Sequence, residues 1–213
     1  MRAAATEKII AAGYGSRDVW LPPLVLMAFV FALGLGGEPV RDALRYDHAA
    51  VQAGQWWRLI SCNFVHLGWW HLFLNEMGIA VLVLLCPERL SPAVWARRVL
   101  VLSLGMSLGL HFLVKNLSTY VGMSGVIHGL FLLGLGRQVL QKDLIAGICL
   151  AYLLGKVAWE MVVGIPVSDE AALGGTVLVE SHLYGSLSAL LYGLVFGSFT
   201  GVETFRRRPK ESS

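Results

Sequence analysis

A small set of polar and ionisable side chains interrupts otherwise apolar stretches of this chain: His66, His71, Asn75, Glu76, Ser124, His128 and His182. A charge at the centre of a membrane helix costs roughly 2.5 to 3.5 kcal/mol, so each such residue is a functional candidate by default. A serine hydroxyl is a weak nucleophile at neutral pH. A histidine within hydrogen-bond reach can take its proton as attack begins and hand it later to a leaving amine. Ser124 and His182 have the types such a pair requires. Acyl transfer also needs N–H donors aimed at the developing oxyanion. His71 and Asn75, four residues apart and so on one helical face, can donate. The backbone N–H of Ser124, with Gly122 and Gly125 close by to keep the approach open, can add a third donor. Each residue also has a plainer use, because a serine between glycines packs helices and an asparagine bridges them. The coincidence favours chemistry: nucleophile, base and donors come from three separate stretches and lie toward the same end of each.

The elements that must position these groups follow from composition. Of 213 residues, 56% are hydrophobic and 15% charged, against roughly 25% charged in soluble domains. A span needs about 20 apolar residues, so the length accommodates six spans and no second soluble domain. They are expected near residues 19–37, 64–86, 94–114, 120–141, 144–164 and 177–200, and each must be helical to satisfy its own backbone. The domain reading is a tail over 1–18, a six-helix membrane domain over 19–204 and a basic tail over 205–213. Residues 38–58 make the longest connection, with Trp56 and Trp57 placed as interfacial anchors.

Basic residues set the orientation. Arg2, Lys8, Arg17, Arg89, Arg97, Arg98, Arg137, Lys142, Arg206, Arg207, Arg208 and Lys210 fall on one side, against Arg41, Arg45, Arg58 and Lys115 on the other. Both termini are therefore expected in the cytoplasm, with the candidate site opening to the outer face. Ser124 and His182 then share a depth of about 6 to 9 Å below that face, by helical rise. In the last span Ser181, Gly185, Ala189, Gly193 and Gly197 recur every four residues, and Gly125 and Gly129 match them in the fourth. Such small-residue stripes let helices approach closely. Lys156 and Glu160, four apart in the fifth span, are expected to neutralise one another. Glu76 lies about 100° around the helix from Asn75 and faces elsewhere.

Other chemistries fit less well. The net charge of +3 is clustered at span ends, which is an orientation signal and not a nucleic-acid footprint. Cys62, Cys86 and Cys149 form no CxxC pair, so no thiolate metal site or disulfide framework is expected. No HExxH occurs, and His66 and His71 are about 140° apart around a helix, so neither a metal nor another cofactor is expected. An α/β-hydrolase elbow fails because Val126 stands where GxSxG needs its last glycine. A transporter would need a polar path through the membrane, whereas these polar groups are confined to one end.

These motifs resemble the rhomboid intramembrane serine proteases. Trp57-Arg58 stands in the first loop, HLGWWHLFLN with His66, His71 and Asn75 opens the second span, GMSG with Ser124 opens the fourth, and SHLYG with His182 and Gly185 lies in the sixth. The likeness runs from about Tyr46 to Gly193. It implies an all-α, six-transmembrane-helix rhomboid-like bundle, a Ser124–His182 dyad, His71 and Asn75 in the oxyanion hole with Ser124, and no third carboxylate. Gly122, Gly125, Gly185 and His128 would support that site. The resemblance also implies cleavage of transmembrane protein substrates near the outer surface of the lipid bilayer.

The GMSGVIHGL and VESHLYG segments are similar to the rhombosortase branch. That branch implies a bacterial inner membrane and secreted substrates with a Gly-Gly motif, an apolar span and a basic end at the carboxyl terminus. His128 stands where many rhomboids place a tyrosine. It could orient His182, compete for the base role or stack. Orientation or stacking is expected, since the resemblance assigns the base to the sixth span. Two alternatives stay open: a catalytically inactive rhomboid-like protein that binds transmembrane helices, and transfer of the acyl group to an amine in place of water.

Overall fold

The structure, a computed structural model, describes residues 16–167 and 169–200. Most of the 1–18 tail, with Arg2 and Lys8, and all of the 205–213 tail, with its basic cluster, lie outside the described residues. The chain runs α1 (Arg17–Leu35), α2 (Gly37–Leu44), β1 (Tyr46–Asp47), α3 (His48–Gln52), α4 (Arg58–Ser61) and a 3-10 turn (Cys62–Phe64). It continues through α5 (Trp69–Leu85), α6 (Pro92–Leu113), β2 (Thr119–Tyr120), α7 (Ser124–Leu140), α8 (Leu144–Val163), α9 (Glu170–Leu173) and α10 (Glu180–Phe196).

Helices α1, α5, α6, α7, α8 and α10 fall on the six stretches expected to span, and together they form an all-α membrane bundle. Helices α1, α6 and α8 are each long and apolar enough to cross a bilayer alone. The second span is broken: α4 with its 3-10 turn meets α5 at 90°. Helices α7 and α10 have 17 residues each, about 26 Å of rise, short of a core about 30 Å thick. The chain entering α7 is instead extended through β2. Non-helical backbone is tolerated at membrane depth only where protein covers it, and Tyr120, Gly122 and Met123 are buried.

Three local devices hold that entry segment. Strand β2 pairs antiparallel with β1, Tyr46 opposite Tyr120. The Gly122 N–H donates to the Cys62 carbonyl at 3.0 Å, and the Tyr120 hydroxyl donates to the Gly122 carbonyl at 2.9 Å. The first loop is braced by Arg58, which donates to the Arg45 carbonyl at 2.7 Å, the Asp42 carbonyl at 3.1 Å and Gln55 Oε1 at 2.7 Å. Trp56 and Trp57 beside it are exposed, as interfacial anchors should be. At the opposite end of the bundle, Glu88 joins three elements: Arg98 lies 2.6 Å from its Oε2 and Arg137 3.1 Å from its Oε1.

Helices α7 and α10 cross at their glycines. A Cβ on Gly125 would stand 2.5 Å from the Ser181 carbonyl oxygen, and one on Gly129 2.7 Å from the Gly185 oxygen. A Cβ on Gly185 would overlap the Gly125 carbonyl. Backbone can yield little, so these positions admit no side chain. Gly147 of α8, by contrast, faces open space. Gly185→Val is expected to lower stability by at least about 1 to 3 kcal/mol through overpacking, and Gly147→Ala to leave it unchanged or slightly raised. Thermal unfolding of the two variants in detergent micelles checks the contrast.

Candidate functional site

Ser124 is the first residue of α7, where the opening N–H groups of a helix lack intrahelical acceptors and carry the positive end of its dipole. His182 lies in the first turn of α10. The helix crossing brings the two together, with Ser124 Oγ 3.1 Å from His182 Nε2. His182 is 3% exposed, so the imidazole has little competition from water for its partners.

The hydrogen-bond partners fix the direction of each proton. His182 Nδ1 lies 2.7 Å from Glu160 Oε2 and, more distantly, 3.4 Å from Lys156 Nζ. The same carboxylate accepts at Oε1 from Lys156 Nζ at 2.8 Å and from the Val167 N–H at 3.2 Å. The carboxylate is much the nearer partner of Nδ1 and can only accept, so Nδ1 carries the imidazole proton and donates it to Glu160, while Lys156 spends its hydrogens on Glu160 and His128. Nε2 is then a bare lone pair and accepts from the Ser124 hydroxyl. His128 has the same tautomer: its Nδ1 sits 2.7 Å from the Ser124 carbonyl oxygen and must donate there. That leaves Nε2 of His128 to accept from Lys156 Nζ at 3.3 Å. The side chains of Ser124, His182, Glu160, Lys156 and His128 thus close a ring that returns to the serine's own backbone. The His128 and His182 rings stack with centroids 4.1 Å apart and planes 17° from parallel.

The candidate donors of α5 meet the segment that enters α7 at Gly122. His71 Nδ1 accepts a long hydrogen bond from the Leu67 N–H at 3.4 Å, which puts the ring proton on Nε2. Nε2 faces Gly122, where an added Cβ would lie 2.9 Å from it and 2.7 Å from Cε1. Gly122 adopts φ +120°, a conformation that L side chains rarely take. Its lack of a side chain therefore serves both the entry turn and the space of His71. Asn75 donates one amide hydrogen to the His71 carbonyl at 2.8 Å, leaving its second for another acceptor. The Ser124–His182 contact can polarise a hydroxyl toward attack.

Ser124, His182, His128, Gly125 and Gly185 thus gather where α7 and α10 cross, and His71 packs against Gly122, two residues before Ser124, while Asn75 bonds the His71 carbonyl on its own helix. His66 stands behind His71, edge-to-face at 4.9 Å, and lines a cavity of about 230 Å³ with Arg41, Glu38 and Trp69, apart from the serine. Glu76 lies outside the cluster, with Oε1 buried and without a hydrogen-bond partner. Reading the sequence missed Glu160 and Lys156 as members. Their four-residue spacing suggested mutual neutralisation, and they do pair, but a carboxylate has a second oxygen and Glu160 turns it to His182. A usable signal was present, since two charges in one span are subject to the same cost that singled out the histidines.

A family model described as "Rhomboid domain" matches residues 53–199, more than half of the chain. The chain is 31% identical over 114 residues to "Putative rhomboid protease YdcA" of Bacillus subtilis (strain 168), a stretch covering 49% of this chain and 53% of that protein. It therefore spans about half the length of this curated relative.

Gly122→Ala should strain the entry turn and displace His71 while leaving the α7–α10 crossing intact. The rate at which a fluorophosphonate phosphonylates Ser124 is expected to fall on the order of 10²-fold, the cost of one lost oxyanion donor. Labelling time courses, with circular dichroism as a control for folding, measure this.

Proposed function

The chain belongs to the rhomboid family, and on that premise we propose that it is an intramembrane serine protease working through a Ser124–His182 dyad. The observation that carries this reading is the 3.1 Å approach of Ser124 Oγ to Nε2 of His182. As the scissile carbonyl arrives, Ser124 Oγ attacks its carbon and the hydroxyl proton passes to His182 Nε2. Negative charge collects on the carbonyl oxygen, where His71 Nε2–H, the free amide hydrogen of Asn75 and the Ser124 N–H are available to receive it. Collapse expels the amine, which takes the proton from His182. Water, deprotonated by the same Nε2, then attacks the acyl carbon, and the proton passes from His182 to Ser124 Oγ as the C–O bond to the serine breaks. Ser118 and Thr119 are exposed beside the entry segment, which supports a supply of water at that end.

The substrate class follows from surroundings and motifs. Substrates are membrane-anchored proteins whose helix presents its end to the site from within the bilayer. The GMSGVIHGL and VESHLYG segments, with His128 in place of the tyrosine of many rhomboids, support a rhombosortase-like role on a carboxyl-terminal Gly-Gly anchor. The basic residues at the Glu88 end of the bundle, Arg98 and Arg137 among them, support a cytoplasmic location for that end. The site then opens to the periplasmic side of a bacterial inner membrane.

A reporter carrying a Gly-Gly motif, an apolar span and a basic end, reconstituted with the protein in liposomes, tests the proposal. Cleavage is expected on the outer side of the span. Ser124→Ala and His182→Ala should each lower the rate by at least about 10³-fold. Mass spectrometry of the product locates the cut and any amine added. Binding of the reporter without cleavage by the wild-type protein would instead make this a helix-binding relative without activity.

A further inference from the structure

Glu160 is fully buried in α8, and nothing in a two-residue mechanism requires it. It lies near the outer end of its helix, one turn after Lys156. Both of its oxygens are engaged: Lys156 Nζ at 2.8 Å and the Val167 N–H at 3.2 Å on Oε1, His182 Nδ1 at 2.7 Å on Oε2. The shortest contact is the one to the imidazole. A side chain serving only to neutralise Lys156 would have no reason to turn its other oxygen to His182 in a span where lipid surrounds the helix.

We infer that Glu160 is a positioning residue for His182, fixing its Nδ1–H tautomer so that Nε2 faces Ser124, and that Lys156 holds Glu160 and the stacked His128 in place. This inference rests on the proposed protease reading. Its physical basis is the two-nitrogen character of imidazole: only one nitrogen carries the proton in the neutral ring, and the partner of one decides the role of the other. Without an acceptor at Nδ1 the ring can place its proton on Nε2, and an Nε2–H cannot take the serine proton. When Nε2 accepts that proton, Glu160 also faces the imidazolium that results. No proton moves to Glu160, which keeps accepting from Nδ1–H throughout. Lys156 supplies the opposite charge, and its further bond to His128 Nε2 at 3.3 Å presses the second ring against the first. His128 cannot itself serve as base in this arrangement, since its Nδ1–H is committed to the Ser124 carbonyl and its Nε2 to Lys156.

The test uses the full-length protein in micelles, with a fluorophosphonate probe and the reporter above. Glu160→Gln leaves Lys156 without its carboxylate and can fail to fold, so Lys156→Met/Glu160→Gln, which removes both charges and keeps the bulk, is made alongside it. With folding matched by thermal unfolding, kcat is expected to fall at least about 100-fold in the double variant, between the loss of a tautomer-fixing carboxylate and partial rescue by the amide. KM should stay within about twofold, because no substrate contact is lost. Nitrogen-15 imidazole spectra of the wild-type protein, with His182 assigned by its loss in His182→Ala, should show a protonated Nδ1 and an unprotonated Nε2. A folded double variant that retains wild-type kcat, or an Nε2–H tautomer in the wild-type spectrum, overturns the inference and leaves the dyad standing. Wild-type protein that never labels at Ser124 overturns the dyad itself.

Discussion

The close crossing of α7 and α10 is the constraint on which everything else at this site depends. Packed helices ordinarily lie 8 to 10 Å apart, and a serine reaches only one heavy atom beyond its Cβ. The imidazole supplies most of the reach of the Ser124–His182 contact, and the glycines at the crossing set how closely the two backbones stand. Gly125 follows Ser124 directly, Gly185 lies three residues after His182, and each stands against the other's main chain. The residues that remove bulk are thus neighbours of those that would carry the chemistry. Any side chain large enough to part the helices there would also separate Oγ from Nε2.

A second constraint is electrostatic. Two opposite charges in a bilayer-embedded bundle are acceptable only when they are paired and their remaining hydrogen-bond capacity is met. Glu160 is paired and hydrogen-bonded at both oxygens, with partners on α8, α10 and the segment before α9. Removing one member of such a pair strands the other, a loss of about 3 to 5 kcal/mol in comparable buried pairs. Lys156 is bound to Glu160 and His128 together, so the cluster ties α8 to both α7 and α10. The same bonds that make the charges tolerable restrict the rotation of both imidazoles.

Much of this was legible in the sequence, for reasons that differ between elements. Six apolar runs gave six helices because lipid leaves a spanning backbone no alternative, and the third and fifth agree within two residues at either end. The second span was expected from Phe64, yet α5 begins at Trp69 after a right-angle break. Hydropathy cannot distinguish a helix from a bend of the same composition. The fourth was expected from Tyr120 and begins at Ser124, because pairing between β1 and β2 draws residues 119 and 120 into extended backbone, a long-range effect with no local signature. The meeting of Ser124 and His182 could be anticipated because polar groups in apolar spans are few. Glu160 was passed over because spacing along one helix offered a sufficient partner, and only the packing of α8 against α10 supplies the second. His128 had three open roles until the positions of the Ser124 carbonyl and Lys156 used both of its nitrogens.

The most direct measurement is covalent. A 4-chloroisocoumarin acylates an activated serine and, on loss of chloride, alkylates an adjacent imidazole, so its product records which two side chains share a site. Digestion and mass spectrometry of the treated protein should yield one adduct bridging the α7 peptide at Ser124 and the α10 peptide at His182. A bridge from Ser124 to His128, or an adduct on some other serine, would contradict the proposed pairing across α7 and α10.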